Sequence, residues 1–202
     1  MKIVCIGRNY LEHAKELGNE VPATPLIFIK PDSAVLRNND DFYHPAFSNE
    51  IHYEVELIIK INKVGKNIQA KFANKYYDEI ALGIDFTARD IQSECKAKGL
   101  PWERAKAFDH SAVTSKFLSK KDYDLNQLNF SLTKNGEKVQ DGNTSLMIFN
   151  VDQIIENISQ FLTLKKGDLI FTGTPEGVGK IEIGDQLEGF IEDKKMFSFN
   201  IK

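Results

Sequence analysis

The chain is predicted to be an α+β protein with a β-rich core, and three observations carry that prediction. Short apolar or alternating runs of strand length outnumber the helical patterns. Many of these runs are close enough along the chain to pair antiparallel, most plainly the two that flank Asn135-Gly136. The 202 residues, 42% of them hydrophobic, are enough for one sizeable core and fit one domain, with at most a small N-terminal extension.

Residues 3–6 form the first apolar run, a strand holding Cys5 as core filler. A short helix is predicted over 10–17, ended by Gly18, because glycine accepts the positive φ of a helix C-terminus. Residues 26–29 are a second apolar strand before Lys30-Pro31. From 50 to 61 the chain first alternates, His52, Glu54 and Glu56 against Tyr53, Val55 and Leu57, and then runs continuously apolar, as one long strand with two unlike faces does. Residues 80–84 read as a buried strand, and 88–98 as a helix stopped by Gly99 and Pro101. Strands at 130–133 and 138–141 make a hairpin about Asn135-Gly136. A helix over 151–162 puts Ile154, Ile155, Ile158, Phe161 and Leu162 on one stripe. Strands at 169–171, 186–191 and 196–201 complete the reading, with no repeat, low-complexity tract or linker.

A net charge of −3 gives no positive field for nucleic acid or acidic membrane surfaces, so neither is expected as a partner. The N-terminal Met-Lys-Ile-Val-Cys-Ile-Gly lacks a signal-peptide pattern, and no apolar stretch nears the ~20 residues of a membrane span. Cys5 and Cys95 are too few for a disulfide framework, so the expectation is a reducing cytoplasm and free thiols.

Several residues have the chemistry of a site. Glu54 and Glu56, at i and i+2 of a strand, leave the same face, where two carboxylates repel unless a cation or proton lies between them. A hard ion such as Mg²⁺ suits such oxygens, and a solvated polar face is the alternative, although the same face continues into Ile58. Asp85 ends an apolar strand ahead of a helix, as a ligand displayed above the core or, with Thr87, as a helix cap. Arg89 and Asp90 behind it either support the site or are solvated. His13 and Glu16 are three apart on a helix, a spacing that lets a carboxylate orient an imidazole as a base, and also one that exposed helices show often. Lys106 lies among small and aromatic residues, so its ammonium needs an anion or snorkels to water. The turn 172–179, Thr-Gly-Thr-Pro-Glu-Gly-Val-Gly, offers backbone N–H groups to an anion but is not a P-loop, because Ile181 stands where a hydroxyl residue is required. His44, His52 and His110 lack zinc spacing, and no dinucleotide fingerprint follows a strand.

Taken together these blocks run in a recognisable order. Gly7-Arg8-Asn9-Tyr10 with His13 and Glu16, Lys30-Pro31, Glu54-Val-Glu56, Gly83-Ile-Asp85-Phe-Thr87-Ala-Arg89-Asp90-Ile-Gln92, Lys98-Gly-Leu-Pro-Trp102 with Lys106-Ala-Phe108-Asp109, and the turn 172–179 resemble the fumarylacetoacetate hydrolase family over residues 3 to about 189. The chain is most similar to its short, single-domain acylpyruvate hydrolase and oxaloacetate decarboxylase branch. The resemblance implies the β-rich mixed sandwich roll of that family's C-terminal domain: one catalytic domain over 1–202, with 1–50 supplying a strand and a lid helix and 51–202 the metal-binding roll. It implies that Glu54, Glu56 and Asp85 ligate Mg²⁺ or Mn²⁺, that His13 and Glu16 form a catalytic dyad, and that Lys106 contacts substrate. Arg8, Lys30, Gln92 and Thr174 would line the pocket, and the protein would be a homodimer acting on a small 2-oxo acid. The implied reaction is metal-dependent hydrolysis of the C–C bond of an acylpyruvate to pyruvate and a carboxylate, with decarboxylation of oxaloacetate through a pyruvate enolate. The alternatives are an oxaloacetate tautomerase, a 2-hydroxyhepta-2,4-diene-1,7-dioate-type isomerase, and a non-catalytic module that only binds the oxo acid.

Overall fold

The structure is a computed structural model that describes every residue except 17, 19 and 38. In chain order the elements are β1 (Ile3–Gly7), α1 (Leu11–Glu16), β2 (Leu26–Lys30), β3 (Val35–Leu36), β4 (Ile51–Tyr53), β5 (Val55–Ile61), α2 (Ala70–Ala73), β6 (Tyr77–Asp85), β7 (Thr87–Ala88), α3 (Arg89–Lys98) and α4 (Glu103–Lys106). They continue with β8 (Ala112–Thr114), β9 (Leu118–Ser119), β10 (Asn129–Lys134), β11 (Glu137–Asn143), α5 (Val151–Phe161), β12 (Leu169–Phe171), β13 (Gly179–Lys180), β14 (Gln186–Ile191) and β15 (Lys194–Asn200). Strands dominate, as the sequence predicts.

An eight-stranded sheet in the order β2-β1-β12-β5-β6-β8-β3, with β9 also on β6, forms the spine. The N-terminal strands therefore belong to the same sheet as the two central strands. Pairing is antiparallel except for β1 with β12 and β3 with β8. A four-stranded sheet, β11-β10-β14-β15, packs across β5 and β6, and a three-stranded sheet, β13-β4-β7, closes one end. The continuous apolar run of β5 is explained by burial on both faces. Leu57, Ile59 and Ile61 enter the main core, while Ile58 enters a second cluster with Ile3, Cys5, Ala81 and Phe171. Cys5 and Cys95 are free and buried, and no helix among the described residues is long and apolar enough to cross a membrane.

The hairpin forms as predicted: Asn135 and Gly136 take φ of 55° and 82°, the two positive values a two-residue primed turn requires. Gly99 ends α3 at φ 64°, accepting the helix-terminal geometry that Lys98 would strain to adopt. In α1, residues 11–16 are helical, whereas the predicted last residue, 17, lies outside the described residues. In α5, Asn150 and Gln153 make a reciprocal capping box, and Ile154, Ile155 and Ile158 are wholly buried. Phe161 departs from the expected stripe and is 68% exposed, because the helix ends there and Leu162 turns back onto the core instead.

The largest departure concerns residues 50–61. They are two strands, not one, broken at Glu54. Tyr53 pairs with Gly179 in the small sheet, the Glu54 carbonyl accepts the Asp85 N–H at 2.8 Å, and the Val55 N–H donates to Gln140 Oε1 at 2.9 Å. A side chain from the four-stranded sheet thus takes the hydrogen bond that a continuing ladder would have made.

Candidate active site

The broken strand positions Glu54 at a junction and Glu56 on the first turn of pleat beyond it, while Asp85 ends β6 directly beside them. All three carboxylates are buried, and one oxygen from each lies within 4.8 Å of the others. Gly83, two residues before Asp85, lets the strands approach this closely: a Cβ there would lie 2.1 Å from the Val113 carbonyl oxygen.

Cations answer these carboxylates. Lys106 Nζ donates to Glu54 Oε2 and to Asp85 Oδ2, each at 2.7 Å. Arg89 donates to the other Glu54 oxygen and, through Nη1, to Gln92 Oε1 at 2.7 Å. Asp85 Oδ1 stands 2.7 Å from Lys30 Nζ as an ion pair, out of hydrogen-bond alignment, and is left without a hydrogen-bond partner. Glu56 Oε2 accepts the Gly173 N–H at 2.7 Å. Burial pushes the Glu54 carboxyl up, but the Lys106 and Arg89 charges outweigh it and hold it well below the usual range. Glu56 is pushed well up by burial and then by Asp85 and Glu54, the cost of a third carboxylate in one pocket. The Lys106 ammonium is disfavoured by burial yet held above its ordinary value by Asp85 and Glu54.

This donor set fits a hard divalent ion. Two of its oxygens, Glu54 Oε2 and Asp85 Oδ2, already share one cation, the Lys106 ammonium, and Asp85 Oδ1 is a buried oxygen with an ion-pair neighbour, Lys30, but no hydrogen bond. The helix-cap reading of Asp85 is excluded, since Ala88 caps α3 with no side-chain bond and Asp85 points at lysines.

His13 lies buried on α1 with Nδ1 3.3 Å from Glu16 Oε2, and Glu16 Oε1 accepts the Gly177 N–H at 3.1 Å. Burial lowers the His13 pKa against the opposing pull of Glu54 and Glu16, which keeps the ring neutral. The glycine-rich turn therefore directs Gly173 and Gly177 N–H groups at the protein's own carboxylates. Its shape demands glycine at both points: Gly173 has φ 101° and Gly177 φ 90°.

A cavity of about 30 Å³ gathers His13, Lys106, Arg8, Gln92 and Thr174 around the three carboxylates. Lys30, expected to line it, is placed behind it. Its ammonium is wholly buried and donates to the Ser111 hydroxyl at 2.9 Å and to the backbone carbonyls of Lys106, Ser111 and Phe86. A lysine so fully engaged holds Asp85 in place and has no donor left for a ligand.

The family model described as fumarylacetoacetate (FAA) hydrolase C-terminal matches residues 2–201. The chain belongs to the fumarylacetoacetate hydrolase family. It is an enzyme of that family with a carboxylate trio able to hold a metal. Among its relatives, the mitochondrial oxaloacetate tautomerase of Mus musculus is 43% identical over 201 residues, covering 99% of this chain and 91% of that protein. The mitochondrial oxaloacetate decarboxylase of Dictyostelium discoideum is 46% identical over 189 residues, covering 93% of this chain and 87% of that one. A fumarylpyruvate hydrolase from Pseudomonas aeruginosa, solved in complex with Mn²⁺ and pyruvate, superposes with a TM-score of 0.94 at 34% identity, covering 100% of this chain and 89% of that chain.

Fumarylacetoacetate hydrolase motifs led to most of the cavity but not all of it. Arg89, left open between support and solvent, grips Glu54, whereas Asp90 accepts from Ser48 Oγ at 2.7 Å and ties down the preceding loop. Gln140 fastens the turn, donating to Thr174 Oγ1 at 2.9 Å and to the Pro175 carbonyl at 3.0 Å while accepting from Val55. Nothing around Gln140 in the sequence distinguishes it from an ordinary hairpin residue. Phe28, Trp102 and Lys96 also reach the cavity.

Proposed function

We propose that this chain is a Mg²⁺- or Mn²⁺-dependent enzyme of small 2-oxo acids whose principal reaction is proton transfer at C3 of oxaloacetate, interconverting enol and keto forms. The observation that carries the reading is one cavity lined both by a buried carboxylate trio and by His13, whose ring is paired with Glu16. Glu54, Glu56 and Asp85 would hold the metal. When bound, such an ion supplies a Lewis acid beside the 2-oxo group, where negative charge develops.

The protein's own groups supply the rest. With Nδ1–H donating to Glu16, His13 presents the lone pair of Nε2 and can take a proton at neutral pH. Glu16, fixed by Gly177, orients the ring and stabilises the imidazolium. Lys106 places a positive charge near the developing enolate, and Arg89 keeps Glu54 from rotating away.

A second reading is supported by the likeness to the fumarylpyruvate hydrolase: hydrolysis of an acylpyruvate, in which the same dyad activates water against the 4-carbonyl. Loss of CO₂ from oxaloacetate would need no attacking water. The test is to follow oxaloacetate enol–keto conversion and CO₂ release, together with pyruvate release from acetylpyruvate, with Mg²⁺ and with a chelator. Chelator-sensitive conversion that Glu54→Gln abolishes is expected. Rates equal to buffer for every oxo acid would refute the reading and favour a mere binder.

We also propose a homodimer. It is supported by the open edge of β2 and the apolar groove of about 640 Å³ formed there by Ile27, Ile29, Phe161 and Leu162. Light scattering giving the mass of one chain would refute it.

A further inference from the structure

Gln140 does not line the cavity; it stands on β11, at the edge of the four-stranded sheet, with its amide under the glycine-rich turn. The turn lies hard against that strand, for a Cβ on Gly177 would stand 2.3 Å from the Val139 carbonyl oxygen. The same turn brings three groups to the site: the Gly173 N–H on Glu56, the Gly177 N–H on Glu16, and Thr174 in the cavity wall.

The backbone around the Gln140 amide dictates which way it faces. Oε1 accepts the Val55 N–H at 2.9 Å, and Nε2 donates to the Pro175 carbonyl at 3.0 Å. Turned about, the amide would set N–H against N–H and carbonyl against carbonyl, in a place where Gln140 and Val55 are both buried from water. Nε2 is therefore the atom 2.9 Å from Thr174 Oγ1, and the threonine oxygen has to accept. A hydroxyl that accepts still has its own hydrogen to give. Among the described residues that hydrogen meets no acceptor, and Thr174, itself buried, borders the cavity. An unconstrained threonine can show a ligand either its hydrogen or its lone pairs; this one is left with the hydrogen.

We propose that Gln140 is a positioning residue: by donating to Thr174 it fixes that hydroxyl as a donor into the cavity, so that the site demands a carboxylate or enolate oxygen of the ligand at this point. The inference rests on the oxo-acid reading above and names the residue that sets the polarity of one wall of that site. Because the same amide also receives the N–H of Val55, next to Glu54, the donor is held in register with the metal-type carboxylates.

The experiment is a double-mutant cycle read by calorimetry, in which pyruvate is titrated into the Mg²⁺-loaded parent, Gln140→Glu, Thr174→Val and the double variant. In Gln140→Glu an oxygen replaces the donating nitrogen, and the Thr174 hydroxyl turns to it and shows its lone pairs to the ligand. The substitution is expected to weaken pyruvate binding at least about fivefold more in the parent background than in Thr174→Val, where no hydroxyl remains to turn. A loosened turn or an added charge acts alike in both backgrounds and cancels in the comparison. Thr174→Ser keeps the hydroxyl and should respond to Gln140→Glu as the parent does. Equal losses in the two backgrounds overturn the proposal. Should Gln140→Glu fail to fold, Gln140→Met, which only frees the hydroxyl to rotate, gives the same comparison with about a twofold to threefold difference expected, and equal losses there overturn it too. If pyruvate binds but no oxo acid is turned over, the catalytic reading falls by itself and the cycle still decides on Gln140; if the parent binds no pyruvate, both fall.

Discussion

Replacing Lys106 by methionine separates its two duties, and the size of the effect follows from its contacts. Its ammonium bridges Glu54 and Asp85 at 2.7 Å each, with side-chain exposures of 4%, 6% and 1% for the three groups. Removing one member of a buried ion pair while its partners stay charged costs about 3–5 kcal/mol. Arg89 still holds Glu54 and Lys30 still holds Asp85, which puts the expected loss near the lower end, about 3 kcal/mol. At roughly 2–4 °C per kcal/mol for a chain of this length, Tm in chelator should fall by about 6–12 °C. Divalent metal then restores what the lysine supplied. Stabilisation of about 2.7 kcal/mol at a hundred times Kd is available in principle, and the variant should realise more of it than the parent, in which an ammonium already contacts two of the ligand oxygens. Differential scanning fluorimetry of both proteins across a Mn²⁺ series measures the two shifts. A Tm within about 2 °C of the parent in chelator, or equal metal-induced gains in both proteins, would refute the argument.

Gly173→Ala should cost about 3–5 kcal/mol in urea denaturation, since φ 101° is strained for alanine and its Cβ would lie 2.6 Å from that of Asn9. It should also weaken Mn²⁺ binding by calorimetry, because the Gly173 N–H that fixes Glu56 would move. His13→Ala should slow acylpyruvate hydrolysis more than oxaloacetate decarboxylation, and equal losses would remove the assigned role of the dyad. Asp185 accepts hydrogen bonds from Asn135 Nδ2 and the Glu182 N–H, both at 2.8 Å; these overcome burial and lower its pKa. A depressed carboxyl pKa stabilises the fold above the unfolded value near ~4, and that stabilisation disappears as pH falls through the folded value. Asp185→Asn should therefore be less stable than the parent at pH 7 by chemical denaturation, with the gap closing on acidification below about pH 4.

Local rules made much of this molecule readable. Asn135-Gly136 and Gly99 announce conformations that other residues adopt at a cost, so the hairpin and the end of α3 were both visible. The three carboxylates were marked by their surroundings, an E-x-E pair whose face runs into buried Ile58 and an aspartate ending an apolar strand. What stayed hidden depends on partners distant in sequence. The strand break at Glu54 exists because Gln140, 85 positions away, supplies an acceptor to Val55. Lys30 looks like any lysine before a proline, and only the closing of β6 and β8 over it shows that its charge is consumed inside. The rim position of Lys96 follows from where α3 is set down, which no helical periodicity encodes.

The junction at Glu54 bears on the order of events in folding. Its predecessor is paired in the three-stranded sheet, its carbonyl and successors in the eight-stranded sheet, and the next N–H is taken by the four-stranded one. The ligand set comes into register only after all three sheets have docked, so an ion finds no site on a partly assembled chain. Added metal should then leave the folding arm of a chevron plot nearly unchanged and slow the unfolding arm, making the bound ion a kinetic lock on the finished protein.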